Sequence, residues 1–298
     1  MAEGLDVIEV ATPHGTVRVR DTGGDGVPVL LVHSLLLDPD LYAAVVPLLV
    51  AHGYRCVLPE LPLGGHALPL DPDADLTPPG LALLLVEVLD ALALHQVHVV
   101  GVDTGGALAQ LLMARHRDRV GAVVLTGCDA YEHFPPRTWV GRLFTPLFVS
   151  GVLWAAAHAF RLRVSRRLLL LPPVTHRGAD DATLVRWTSP LRDARVRRDV
   201  RKAFWAMNPQ HTLAAAEANR DFPRPVLIAW GDDDRLFPRS LGVCLVDDLP
   251  QARLVVLPDC AAFTSLDQPD LLAAGEREGQ PGTGRTCARR RRPVKVSS

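Results

Sequence analysis

The sequence predicts an α/β protein whose core is a mostly parallel, doubly wound sheet carrying an inserted helical segment. Three observations predict it. From residue 27 to residue 126, β-branched apolar runs alternate with runs of helix formers, the order produced when crossover helices join parallel strands. One of those strands passes into a helix through a glycine-bracketed corner, Gly101-Val102-Asp103-Thr104-Gly105. The alternation stops after residue 129, residues 130–222 hold helix-like stretches without a clear strand, and a strand pattern resumes at Pro225.

A chain of 298 residues can bury a full core, and 48% hydrophobic with 22% charged residues is ordinary for a globular enzyme. The formal net charge of −1 gives no sign of a nucleic-acid or membrane partner for the body of the protein. Met1 to Asp6 lacks an apolar stretch, so no signal peptide is expected and a cytoplasmic location is. Five cysteines, scattered and odd in number, show no metal-ligand spacing; neither a structural disulfide, a metal nor a cofactor is expected.

Val7–Val10 and Thr16–Arg20 read as an opening hairpin turned at Pro13-His14-Gly15. Val27–Val32 is a continuous apolar run, as a strand covered on both faces should be, and ends at His33-Ser34-Leu35. Leu41–Val50 has helical periodicity with Gly53 as its stop, and Arg55–Leu58 is the next strand. A helix over 80–94 leads to the strand before the corner, and Ala122–Thr126 is another buried strand, ending at Gly127-Cys128-Asp129. These elements place the core in residues 1–129 and 223–274, with a helical cap over 130–222. The apolar run Leu147–Ala157 is bounded by Arg142, Pro146 and His158 and is too short to span a bilayer, so it reads as a cap helix facing a pocket. The basic run Arg192–Lys202 is interleaved with Asp193 and Asp199 and reads as a solvated face. Pro225–Trp230 and Arg253–Leu257 complete the strands, and residues 275–298, rich in Gly, Pro and Arg, are expected to be disordered.

The corner carries the chemistry. A residue at the apex of a strand-to-helix turn is crowded from both sides, which Gly101 and Gly105 relieve, and Asp103 occupies that apex. An Asp at a helix start also serves as an N-cap, but capping does not account for the glycines. Gly-x-nucleophile-x-Gly between strand and helix resembles the nucleophile elbow of the α/β-hydrolase superfamily, and Asp as the nucleophile resembles the haloalkane dehalogenases and epoxide hydrolases. The resemblance implies that Asp103 attacks carbon and that the backbone N–H groups of Thr104 and Leu35 face the developing anion. It also implies a catalytic acid, matched by Asp234 in Gly231-Asp232-Asp233-Asp234-Arg235-Leu236-Phe237-Pro238, with Asp129 as the second candidate. Ser34 stands where that family has Gly, a residue that more readily takes up a tight backbone approach.

One departure changes the expected mechanism. The stretch Ala261-Ala262-Phe263 precedes Asp267-Gln268-Pro269, and Ala262 stands where the family places its catalytic His. Without that imidazole the second step, hydrolysis of an Asp103 ester, lacks its base. The combination of Asp103-Thr104-Gly105-Gly106, Cys128-Asp129-Ala130 and Asp267-Gln268-Pro269 without the His resembles a bacterial subset of the family. The reading is a hydrolase acting on a small apolar substrate with a carbon–halogen, epoxide or ester bond, its hydrolysis impaired or altered. The alternative is a binding protein, or a lyase- or isomerase-like catalyst, on the same fold. His66 and His133, in loops after strands, are candidate replacement bases.

Overall fold

The computed structural model describes residues 6–139, 142, 145–170 and 174–274. Eight strands form one sheet in the order β1-β2-β4-β3-β5-β6-β7-β8. β1 (Asp6–Thr12) and β2 (Gly15–Asp21) pair as the antiparallel hairpin, and β2 joins β4 (Tyr54–Pro59) antiparallel. From there β3 (Val27–Val32), β5 (Val97–Asp103), β6 (Val120–Cys128), β7 (Val226–Gly231) and β8 (Ala252–Leu257) run parallel. The central strands are buried along most of their length because helices cover both faces, which is why they read as unbroken apolar runs.

The helix expected over 41–50 is shorter. A 3₁₀ turn spans Pro39–Tyr42 and α1 begins only at Val46 (Val46–Ala51), because Pro47, with no N–H to donate, is placed in a first turn rather than an interior. α2 spans Pro78–Ala91 and is capped by Thr77, whose side chain accepts from the Gly80 amide. It stops short of residue 94, with Ala93 at φ 54°. α3 (Thr104–Arg115) follows the corner directly.

Between β6 and β7 the described residues form helices and no named strand: α4 (Ser150–Ala159), α5 (Arg163–Leu170), α6 (Asp181–Thr188), α7 (Ala194–Ala206) and α8 (Pro209–Ala218). α9 (Arg239–Asp248), α10 (Thr264–Asp267) and α11 (Pro269–Ala274) complete the core. The expected tail, 275–298, lies outside the described residues.

Two expectations about the insertion change. α4 buries Leu153, Ala156 and Ala157 but leaves Trp154 exposed, and only Phe148 of the run 147–157 lines the pocket. The basic run is also more than a solvated face. Asp199 is fully buried, accepts from the Leu70 amide at 2.9 Å and faces His66 Nε2 at 3.4 Å, while Lys202 Nζ donates to the carbonyls of Pro72 and Ala74. α7 thereby pins the loop after β4 to the insertion. Cys56, Cys128 and Cys260 are free and buried, but Cys244 is disulfide-bonded, so the expectation of no disulfide fails there.

Candidate active site

Asp103 ends β5 with φ 53° and ψ −124°, a backbone that a non-glycine residue adopts at a cost of roughly 1–3 kcal/mol and only when its surroundings enforce it. They do. A Cβ on Gly105 would lie 2.1 Å from the Val32 carbonyl oxygen, and one on Gly101 would lie 2.5 Å from that of Gly105. The glycines are therefore required by backbone contact, and the Asp103 side chain makes no capping bond at the start of α3, so the N-cap account fails.

The Asp103 carboxylate is buried and well supplied with donors. Ser34 Oγ donates to its Oδ2 at 2.5 Å, and the amide and hydroxyl of Thr104 also stabilise its ionised form. Burial is the largest influence and pushes its pKa up; these donors hold it down, and the balance is about 6. Asp129 stands beside it, accepting from Thr104 Oγ1 at 3.5 Å. Burial first, and then the neighbouring Asp103 charge, push the Asp129 carboxyl well above the usual range. The two neighbouring carboxyls disfavour double ionisation, and Asp129 Oδ1 is buried without a hydrogen-bond partner. Gln110, on α3, fixes this neighbour by donating to the Asp129 carbonyl at 2.8 Å.

Ser34 is the residue that sequence reasoning misjudged. It replaces the family's Gly without a left-handed backbone; Leu36 takes that conformation instead, at φ 63°. His33 holds Ser34 in place. The Leu61 amide donates to His33 Nε2 at 2.9 Å, so the proton is on Nδ1 and is donated to the Ser34 carbonyl at 2.9 Å. Burial lowers the His33 pKa to about 4, which keeps the ring neutral.

Asp234 lies on the loop after β7, where its Oδ1 accepts from the amides of Leu236 and Phe237 at 2.9 and 2.8 Å. Its Oδ2 is buried and has no hydrogen-bond partner. A Cβ on Gly127 would meet that oxygen at 2.7 Å and Ala262 Cα at 3.2 Å, so Asp234 and Ala262 face each other across one glycine. Burial dominates again, and with the charges of Asp103 and Asp233 it outweighs the two amides to raise the Asp234 pKa to about 7. The Ala262 loop is held by Asp267, which accepts from the Ala261 amide at 3.0 Å, the Thr175 hydroxyl at 2.6 Å and the amides of His176 and Arg177 at 2.9 Å. Asp267 of the Asp267-Gln268-Pro269 signature thus clamps this loop to the middle of the insertion, at residues 175–177.

Asp103 faces a cavity of about 670 Å³ including its open mouth. Among the described residues Thr104 is the only other polar one on its wall; Leu35, Leu36, Phe148, Phe204 and Phe263 make up much of the rest. The Leu35 amide has no hydrogen-bond acceptor among the described residues, whereas that of Thr104 is turned to the Asp103 carboxylate itself. Neither His66 nor His133 lines the cavity. His66 accepts from the Gly64 amide at Nδ1, so its Nε2 proton points to Asp199. His133 is half-buried, with its Nδ1 unpartnered. No group of His, Cys, Asp and Glu suited to a metal occurs among the described residues.

The family model described as alpha/beta hydrolase fold matches residues 27–269. A 2-hydroxy-6-oxo-6-phenylhexa-2,4-dienoate hydrolase of Burkholderia cepacia is 27% identical over 237 residues, covering 74% of this chain and 75% of that protein. Among solved structures, a hydrolase of the same name from Rhodococcus sp. strain RHA1 has a TM-score of 0.73 at 18% identity, covering 91% of this chain and 98% of that one. The epoxide hydrolase CorEH has a TM-score of 0.73 at 16% identity, covering 91% and 97%. At such identities the two structures share the fold with this chain. The haloalkane dehalogenase and epoxide hydrolase subgroup therefore rests on the motifs, while the sequence relative carries the name of a dienoate hydrolase.

Proposed function

The chain belongs to the alpha/beta hydrolase fold family, and on that premise we propose a hydrolase-type enzyme whose reacting group is the Asp103 carboxylate and whose substrate is a small, neutral, apolar molecule. The observation that carries this reading is the strained, buried Asp103 aimed into a cavity whose wall is otherwise apolar apart from Thr104. The dienoate named for the relative is a carboxylate. Among the described residues this cavity wall has no Lys, Arg or His to pair one, and three buried carboxyls, Asp103, Asp129 and Asp234, stand close by. Those features favour a neutral substrate with a carbon–halogen, epoxide or ester bond.

In the first step an Asp103 oxygen attacks the electrophilic carbon; a carbon–oxygen bond forms, the bond to the leaving group breaks, and its electron pair departs with that group toward the Leu35 amide. The second step needs a base to deprotonate water. No imidazole lines the cavity, and Asp234, the acid-loop carboxyl, is itself largely protonated below about pH 7. With a haloalkane or an epoxide the Asp103 ester therefore accumulates, whereas attack on an ester carbonyl would give a mixed anhydride.

A second reading draws on one observation, the buried Asp129 carboxyl beside Asp103, whose Oδ1 has no hydrogen-bond partner. Such a pair can pass a proton to and from a bound molecule without a covalent ester, a lyase- or isomerase-type step. Intact mass after incubation with haloalkanes, epoxides and activated esters tests the first reading. A stable adduct on the Asp103 peptide, absent in Asp103→Asn, is expected. Rapid turnover without an adduct would overturn it, and solvent deuterium entering an unhydrolysed substrate would favour the second.

A further inference from the structure

The near-zero total charge conceals a segregation. Between His133 and Ala179 the sequence has seven arginines and no Asp or Glu. Within this stretch α4 has no Asp, Glu, Lys or Arg at all, although it lies at the surface. Surface helices normally turn a polar face to water. Here the outward side of α4 carries Trp154, 53% exposed and in tilted contact with His158 at 4.4 Å between ring centroids, with Val149 and Val152 exposed beside it. The turn that follows adds Leu162, 65% exposed, and the first turn of α5 adds exposed Val164. Trp205 of α7, 58% exposed, adjoins this face by donating to the Phe148 carbonyl at 3.2 Å. An apolar surface of this extent signals a partner.

Charge decides which partner. Exposed Arg161, Arg163 and Arg167 border the face, and Arg163, Arg166 and Arg167 converge on the single carboxylate of Asp181, at 2.7, 3.9 and 3.5 Å, which leaves the cluster positive. Arg201 reaches the Phe148 carbonyl at 3.1 Å from the other side. A second copy docking symmetrically would set these arginines against one another, because an isologous interface pairs a patch with itself. An anionic lipid surface meets both features: its headgroups take the arginines, and its interfacial layer takes tryptophan and aliphatic side chains. No helix among the described residues is long and apolar enough to cross a membrane, so the contact is with one leaflet.

We propose that the outer face of α4, the turn after it and Trp205 form a docking surface for an anionic membrane. Phe148, directly before α4, lines the cavity and stacks on Phe204 at 3.8 Å, so the docked face adjoins the cavity wall. Apolar molecules dissolved in the bilayer would thereby be presented beside the cavity.

Flotation of the full chain with vesicles of phosphatidylcholine alone, and of phosphatidylcholine with phosphatidylglycerol, tests this. Binding to the mixed vesicles, weakened by salt and accompanied by a blue shift of tryptophan emission, is expected. Trp154→Ser with Leu162→Ser, both at exposed positions, should lower the partition coefficient by about tenfold or more with the melting temperature retained. Binding to neither vesicle would overturn the proposal. So would binding unchanged by the double variant, which would place the contact elsewhere in the chain. A concentration-dependent dimer abolished by the same two substitutions would assign the face to a second copy instead.

Discussion

The surroundings of the two buried carboxyls Asp103 and Asp234 are built differently. On the elbow side every feature supports Asp103: glycines let the backbone take its strained turn, Ser34 and Thr104 donate to the carboxylate, and Gln110 steadies its neighbour Asp129. On the opposite side Asp234 is just as carefully placed by two loop amides, yet its second oxygen is buried against Ala262 with nothing to bond. A buried polar atom without a partner is costly, and Asp129 Oδ1 and Gln110 Oε1 on the elbow side share that state, so what distinguishes Asp234 is its place beside Ala262. The difference teaches that the two carboxyls are held independently: Asp103 by side-chain donors from two strand ends, Asp234 by the amides of its own loop.

The largest change to this contrast is expected from Ala262→His. The imidazole would stand between the Asp234 carboxyl and the cavity, give Oδ2 a donor and provide a base, shortening the lifetime of an Asp103 ester by about 100-fold or more. Steady turnover should nevertheless stay weak, because the wall of the cavity offers a leaving group no side-chain N–H. An ester lifetime unchanged by a correctly folded variant would show that Asp234 does not face the reacting centre.

Asp234→Asn tests the same side through stability. With its pKa raised from 3.8 to about 7, Asp234 favours the folded state fully below about pH 4, and that contribution is lost as pH rises through about 7. An amide cannot ionise, so the variant should be more stable than the parent at pH 8, by roughly 1–4 kcal/mol, with the gap closing as pH falls toward 4. Chemical denaturation across this range measures it; a gap that widens at low pH would mean that Asp234 is stabilised as the anion.

A smaller effect belongs to the elbow side. Ser34→Ala removes one donor from the Asp103 carboxylate and should move the acidic limb of the rate of adduct formation upward by about one to two pH units. An unshifted limb would show that the 2.5 Å contact does not hold down the ionised form.

Residues in sequence determined much of this. The run of parallel strands was legible because strands buried on both faces must be apolar throughout, and the elbow because Gly101 and Gly105 sit where backbone contact leaves no room for Cβ. Asp103, Asp234 and the Ala262 departure were legible for the same reason, since each is fixed by its offset from the end of a strand. What tertiary structure decided are relations between distant segments. Ser34 looked like a poorer glycine, and only the folded chain shows its hydroxyl on a carboxylate 69 positions away. That Asp129 lies beside Asp103 while Asp234 faces Ala262 depends on which loop ends converge, and on burial that no local pattern encodes. His66 was removed as a base by Asp199, 133 positions along the chain. Composition hid the exposed face of α4, because an average over the chain cancels charges that folding keeps apart. Local geometry is written in neighbouring residues, whereas pKa values, hydrogen-bond partners and surface patches arise from side chains brought together across the sequence, and the fold alone sets those distances.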